Sequence, residues 1–159
     1  MSQKTLLRKR RKVLLDAFGL LQNRGWHRDE KDGLVQVSPK GKRTGVRRVE
    51  LSEDGDDLEL QIRAVYFSRR SIRDRVDAMV VRLAQDRALF VRQGYTFEAR
   101  YWSASKKRRE GFGGVLHVDL DGAEDAFPED LIPLIESGME MVSWISEELA
   151  ICNDRVNVP

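Results

Sequence analysis

An alternating run of eleven residues, "DLELQIRAVYF" (57–67), constrains the fold of this chain more than any other stretch. Every second residue in it is apolar, and most of the residues between are polar or charged. Successive side chains of a β-strand point to opposite faces, so the run predicts a strand buried on one face only, as in an antiparallel sheet. The residues expected on the buried face are Leu58, Leu60, Ile62, Ala64 and Tyr66.

Four further runs have the composition of extended strands, and residues typical of turns separate them. The last two of these runs predict a hairpin around the basic tip "KKRRE" (106–110). Together with the alternating run they predict a sheet of about five strands. The four runs are "GLVQVSP" (33–39), "GVRRVELS" (45–52), "YTFEARYWSAS" (95–105) and "GFGGVLHVDL" (111–120).

Three segments carry apolar residues at helical spacing. The first covers residues 3–24, and the second begins near Ser71 and ends before the fourth strand. The third, residues 128–151, opens with a proline suited to the first helical turn. Glu129 and Asp130 follow, where the positive end of the helix dipole favours acidic side chains.

The resulting order, α-β-β-β-α-β-β-α, predicts the α+β class. A chain of 159 residues with 41% hydrophobic residues is long enough to bury one core, so we expect a single domain over residues 1–159. We expect residues 1–12 to form a frayed basic helix end and residues 153–159 to form a tail.

Several observations favour a cytoplasmic protein without a membrane partner. No apolar run approaches the roughly 18–20 residues that span a bilayer. The start, "MSQKTLLRKRRKVLL", has too short an apolar region for a secretory signal. Cys152 is the single cysteine, which excludes an internal disulfide and a multi-cysteine zinc site.

The small net charge of +2 conceals a strong gradient along the chain. Residues 1–49 hold 14 Lys and Arg against 4 Asp and Glu, which gives +10. Residues 111–159 hold 1 against 11, which gives −10. Such asymmetry is typical of a protein that selects its partner electrostatically, or whose ends attract each other within a dimer.

Few residues are suited to catalysis, and the sequence predicts no enzyme, no catalytic residue and no cofactor. His27 follows a helix and is expected at the surface. "HVDLDG" (117–122) alternates His117, Asp119 and Asp121 on one strand face, but its spacing does not fit a calcium loop, so we expect no metal there. "GFGG" (111–114) precedes a strand, whereas phosphate-binding glycines precede a helix.

Three basic clusters are the most conspicuous polar feature. They are "RKRRK" (8–12) in the first helix, "KGKRTGVRR" (40–48) at the first hairpin and "KKRR" (106–109) at the last one. Five successive helical residues surround the helix axis, so two arginines interrupt the apolar stripe. We therefore expect this turn to project past the core, with packing only from Val13 onward.

The basic clusters leave three interpretations open. They are solvated surface, or they bind an acidic protein surface, or they bind a nucleic-acid backbone on which an aromatic side chain such as Trp102 stacks a base. The acidic C-terminal third argues against nucleic acid because it would repel phosphate. The residues expected to contact an anionic partner are Arg8, Lys9, Arg10, Arg11, Lys12, Lys42, Arg43, Lys106, Lys107, Arg108 and Arg109.

The element order resembles that of the small chaperones of type III secretion and of the YbjN-like proteins. Three segments carry the resemblance: "LLDAFGLLQNRGW" before a hairpin, the alternating run as third strand, and "FPEDLIPLIESGMEMVSWISEEL" with its late tryptophan as closing helix. The resemblance implies a non-enzymatic, commonly dimeric protein that holds an extended segment of a partner. The chain differs from that family in its strongly basic N-terminal third.

These patterns favour a non-enzymatic, chaperone-like or adaptor-like module that binds a protein or peptide partner and forms a homodimer. The alternative is a nucleic-acid-binding protein that uses the basic helix end and the two basic hairpin tips. Methionine and tryptophan adapt well to contact surfaces. The apolar residues expected at an interface are Trp102, Met139, Met141 and Trp144.

Overall fold

A computed structural model describes residues 1–39, 46–54, 57–68, 94–104 and 109–156. Only the backbone is described at 46, 54, 66–68, 99–104, 109–112 and 144–156. The helix predicted from Ser71 lies outside the described residues, as do the first-hairpin cluster up to residue 45 and residues 106–108 of the last one.

The described residues form a six-stranded antiparallel sheet with two α-helices, which confirms the α+β class. The strands lie in the order β1-β2-β3-β4-β6-β5, so β1 and β5 are the edges. The elements are α1 (Gln3–Asn23), β1 (His27–Lys31), β2 (Leu34–Ser38), β3 (Val46–Asp54), β4 (Asp57–Ser68), β5 (Tyr95–Ala104), β6 (Arg109–Val118), a 3₁₀ turn (Ala123–Asp125) and α2 (Pro128–Val156).

The prediction of five strands is wrong by one, because β1 has no apolar alternation. Its sequence is "HRDEK", and four of its five residues are exposed. A tight hairpin pairs it with β2, and the turn residues Asp32 and Gly33 have φ of 53° and 78°. Asp-Gly is a preferred pair for such turns, since both positions need positive φ. The dipeptide was the available signal for this strand.

Helix α1 is regular from its first turn. Ser2 caps it by accepting a hydrogen bond from the backbone N–H of Thr5 at 3.2 Å. The helix ends before Gly25, whose φ is 96°, a conformation that favours glycine. Its buried stripe faces the sheet and consists of Leu14, Ala17, Phe18 and Leu21.

Helices α1 and α2 lie on the same face of the sheet, and the core is between them and the strands. The predicted alternation of β4 is confirmed, since Leu60, Ile62 and Ala64 are buried and Leu58 packs against them. In the neighbouring strands, the residues paired with Leu60 and Ile62 are also apolar and lie on the same face of the sheet. Their buried residues are Val35, Val37, Val49, Leu51 and Leu116, covered by Leu131, Ile132, Ile135, Met139 and Val142 of α2.

A charged network occupies the opposite face of the central strands. The Glu50 side chain is only 8% exposed, and its carboxylate contacts Arg48 at 3.0 Å and Arg63 at 3.3 Å. Arg63 also donates to the side-chain oxygen of Gln61 at 2.6 Å. A buried carboxylate is tolerated only when it is paired in this way. Of the polar residues of β4 on this face, Gln61 is buried and Arg63 is half-buried, whereas Glu59 is exposed.

Gly138 allows α2 to approach the sheet closely. A Cβ atom at this position would lie 2.5 Å from Cδ1 of Ile62 and 3.2 Å from Cε1 of Tyr95. The Tyr95 hydroxyl donates a hydrogen bond to the carbonyl of Leu134 and accepts one from the backbone N–H of Gly138. Leu134 and Gly138 are four residues apart, the spacing at which helical N–H and C=O groups pair. One phenol therefore fastens a full turn of α2 to β5.

We predict that Gly138→Ala destabilises the protein although alanine is the better helix former. Ile62 is fully buried, so its Cδ1 can give way only by displacing neighbouring core atoms, and we expect the overpacking cost of about 1–3 kcal/mol to exceed the propensity gain of about 1 kcal/mol. Gly19→Ala in α1 is the matched control, because a Cβ there meets nothing within 4 Å. It should stabilise the protein by about 0.5–1 kcal/mol. Urea unfolding measures both, and equal effects would contradict the close approach.

We predict a late-titrating tyrosine. Burial raises the pKa of Tyr95 from 10.0 to about 12. The unfolded chain then loses this proton first as pH rises, so the free energy of unfolding falls between about pH 10 and pH 12. Ultraviolet titration of the three tyrosines should show one late step that Tyr95→Phe removes. A step that survives in the variant would assign it to another tyrosine.

Candidate functional site

A groove of about 610 Å³ lies between the N-terminal half of α1 and the end of the β3–β4 hairpin. It is the candidate site because it includes part of the basic cluster singled out in the sequence. Its lining residues are Gln3, Lys4, Leu7, Arg8, Arg11, Glu53, Asp57 and Leu58. We refer to it as the α1 groove.

The α1 groove has a half-buried apolar part and two charged walls. Leu7 and Leu58 are half-buried, and Leu58 packs against the core of the sheet. Lys4 and Arg8 of α1 are exposed along one wall. Glu53 and Asp57 come from the strand ends opposite them, and Arg11 forms an ion pair with Glu53. Helical spacing explains the α1 wall, because residues 4, 7, 8 and 11 share one face.

Arg10 corrects the expectation that the basic turn projects past the core. Its side chain is only 15% exposed, and its Nε donates to Glu124 at 2.9 Å. Its Nη2 lies 3.5 Å from the carboxylate of Asp121. The guanidinium therefore joins α1 to the 3₁₀ turn before α2. A long arginine stem suits a position that is apolar near the backbone and charged at the tip.

The ion pair with Arg10 also affects the titration of its partner. The hydrogen bond from Arg10 is the main cause that holds the pKa of Glu124 below its usual value of 4.5. The charged form of Glu124 is thus favoured in the folded chain. This contact stabilises the folded state above pH 4.5 and does so less as the carboxylate becomes protonated.

The basic and acidic thirds of the sequence meet within one chain. Arg10 reaches Glu124, and Arg24 at the end of α1 donates to Glu136 of α2 at 2.6 Å. Helix α1 also packs directly against α2 and the 3₁₀ turn. Part of the charge gradient is therefore satisfied by folding, and only the remainder is available to a partner.

The other predicted anion-binding residues are not all brought together. Lys9 and Lys12 are exposed on α1 but do not line the α1 groove. Lys42, Arg43, Lys106, Lys107 and Arg108 lie outside the described residues, and Arg109 is described only as the first backbone position of β6. Of those that the structure describes with their side chains, Arg8 and Arg11 line the groove.

The predicted apolar interface residues have different positions. Met139 is 5% exposed and belongs to the core, so it offers no surface to a partner. Met141 is half-buried against that core. Trp102 is a residue of edge strand β5, and Trp144 is a residue of α2. The side chains of these tryptophans are not described.

The residues of "HVDLDG" (117–122), considered above as metal ligands, make contacts with different parts of the protein. His117 lies on the face opposite the helices, where its Nε2 is 2.8 Å from Glu98. Asp119 is exposed, and Asp121 contacts Arg10. Within the described ranges, no group of three or more His, Cys, Asp or Glu side chains is placed to hold a metal ion. Residues 111–114 belong to β6, as expected from the strand interpretation.

Comparison with known proteins identifies no relative. No protein-family model, no curated protein and no solved structure matches the chain. Among the described residues, neither helix combines the length and the apolar character needed to cross a membrane.

Sequence reasoning missed the acidic wall of the α1 groove. Glu53 was not singled out from the sequence, and Asp57 was included only as the first residue of the alternating run. An available signal was the antiparallel hairpin itself, which places Glu53 opposite Leu58 beside the alternating run. Leu7 lies in the helical segment predicted over residues 3–24, and its half-burial leaves part of it exposed to the groove.

We predict that Arg10→Gln lowers the urea midpoint at neutral pH, because it removes a contact between two shielded charges. Lys12→Gln is the matched control, since Lys12 is an exposed cation of the same helix and should leave the midpoint unchanged. The difference between wild type and Arg10→Gln should shrink below pH 4.5 as Glu124 is protonated. Equal midpoints for the two variants would contradict a structural role for Arg10.

Proposed function

We propose that this protein is a non-enzymatic, cytoplasmic binding module that acts as a homodimer and holds an extended, acidic segment of a partner protein in the α1 groove. The observation that carries the proposal is the juxtaposition of exposed Lys4 and Arg8 with half-buried Leu7 and Leu58 in one groove. Such a surface suits a segment that combines carboxylates with an apolar anchor.

The apolar part of the groove supplies affinity, and the cations supply selection. Burying a leucine-sized side chain against Leu7 and Leu58 is worth about 1.5–3 kcal/mol when it is complete. Lys4 and Arg8 attract carboxylates and speed association, although exposed pairs add little affinity. Asp57 on the opposite wall disfavours segments that are acidic on both sides, which orients the bound segment.

The acidic wall is also the reason to prefer a protein partner over nucleic acid. Asp57 would lie beside any phosphate backbone that followed the groove, whereas the charge of Glu53 is balanced by Arg11. Arg10 and Arg11 are already paired with acidic residues of the chain. Nucleic-acid binding through the helix end and the basic hairpin tips remains the alternative function. The resemblance to secretion chaperones, itself a prediction, supports an extended protein segment as the partner.

We predict that a labelled peptide of about twelve residues, in which Glu alternates with Leu or Ser, binds in a saturable manner. The double variant Lys4→Glu/Arg8→Glu should weaken binding about tenfold, because both lost cations line the groove. Leu58→Ser should weaken it by a similar factor through the lost apolar contact. Fluorescence anisotropy measures the dissociation constants, and circular dichroism checks the fold of each variant.

Lys9→Glu/Lys12→Glu is the matched control, since it makes the same charge change on exposed α1 residues outside the groove. It should leave peptide affinity within about twofold. Equal losses in both double variants, or no saturable binding, would overturn the α1 groove. A parallel titration with a DNA oligonucleotide at about 50 mM salt tests the alternative, which predicts submicromolar, steeply salt-dependent binding.

A further inference from the structure

The two edges of the sheet differ in how well they are protected against pairing. Edge strand β1 has five residues, and every one carries a charge or an imidazole. Edge strand β5 has ten residues, with Phe97 and Tyr101 among its aromatics and neither lysine nor proline. Short length, charge and proline are how proteins block sheet edges. β1 is therefore blocked by length and charge, whereas β5 has the features of a strand that pairs further.

The hydrogen bonding of β5 shows which backbone groups face its free edge. The carbonyl of Gly94 accepts from the N–H of Asp119 at 3.0 Å, and the register with β6 continues without interruption. Antiparallel strands alternate between residues that bond to the neighbour and residues that face away. The residues of β5 that face away from β6 are therefore Tyr95, Phe97, Ala99, Tyr101 and Ser103.

We propose that β5 pairs with β5 of a second copy, antiparallel, about a two-fold axis at Ala99. This register places Ala99 opposite Ala99 and matches outward backbone groups with outward backbone groups. It places Glu98 opposite Arg100 on both sides of the axis and Phe97 opposite Tyr101. Opposite charges and aromatic pairs at facing positions are the combinations that stabilise antiparallel strands. The interface is isologous, as closed dimers require.

Charge distinguishes this register from its neighbours. Moving the axis to residue 98 sets Glu98 against Glu98, and moving it to residue 100 sets Arg100 against Arg100. Like charges at directly facing positions are destabilising. In the proposed register the facing Glu98 and Arg100 occupy non-hydrogen-bonded positions, where the strands bring side chains closest. The Glu98 side chain is 42% exposed, so part of its surface can be reached by Arg100 of a second copy.

This inference specifies the homodimer of the proposed function and does not depend on the peptide. The α1 groove lies beside β3 and β4, and β6 separates β4 from β5. Pairing along the side of β5 that no described strand occupies therefore joins two sheets into one while both grooves stay outside the strand-to-strand contact. The two proposals can fail separately. The sedimenting mass shows whether the dimer forms, and fluorescence anisotropy shows whether the α1 groove binds the peptide.

Sedimentation velocity tests the interface. Wild type should have twice the chain mass of 18.3 kDa at about 50 μM. Arg100→Glu should raise the dimer dissociation constant about 100-fold, because each Glu98 then faces an acid. The exchange Glu98→Arg/Arg100→Glu should restore the dimer to within about tenfold of wild type. A monomeric wild type, or an Arg100→Glu variant with wild-type affinity, would overturn the proposal.

Crosslinking provides a test that does not require weakening the dimer. Ala99→Cys in a Cys152→Ser background should form a disulfide between two copies, because hydrogen-bonded facing residues have Cα atoms about 5.5 Å apart. Ser103→Cys is the matched control on the same face, and the register separates its two copies by about 27 Å. Equal crosslinking at both positions, or crosslinking at Ser103 alone, would exclude the two-fold axis at Ala99.

Discussion

The structure depends on burying one face of the sheet beneath helices from the two ends of the chain. The face is apolar in every central strand, as Val49, Ile62 and Leu116 show, and these residues pair in register. α1 and α2 cover it together and therefore lie side by side. This arrangement brings the basic N-terminal third against the acidic C-terminal third. The charge gradient of the sequence is in part a consequence of which segments must meet.

That constraint divides the basic turn of α1 into residues with different tasks. Five cations in succession surround a helix, so at least one of them must face the chain itself. Arg10 does so and is held by Glu124, and Arg11 turns to Glu53. Arg8 remains exposed on the groove side. A run that looks uniform in sequence thus contains cations paired within the chain and others that stay exposed.

The sequence predicted those elements whose residues alternate between a buried and an exposed environment. β4 was found by its period of two, and α1 and α2 by their apolar stripes, because each has one face in the core. β1 was missed because its residues are charged and mostly exposed. Without a buried face, the strand has no alternation of apolar and polar residues in its sequence. The inward path of Arg10 was missed because it depends on Glu124, which is distant in sequence and near only after folding.

The sheet also explains how the two proposed binding surfaces can coexist on one small domain. A β-sheet has two faces and two edges, and each needs its own solution. One face is covered by α1 and α2, and the other has a buried carboxylate held by two arginines. Among the described strands, one edge is short and charged, and the proposed dimer extends the sheet at the other, the long aromatic strand β5. The α1 groove arises elsewhere, where the first turns of a helix run past the end of a hairpin. A partner in that groove and a second copy on β5 would therefore occupy different elements, and occupancy of one need not exclude the other.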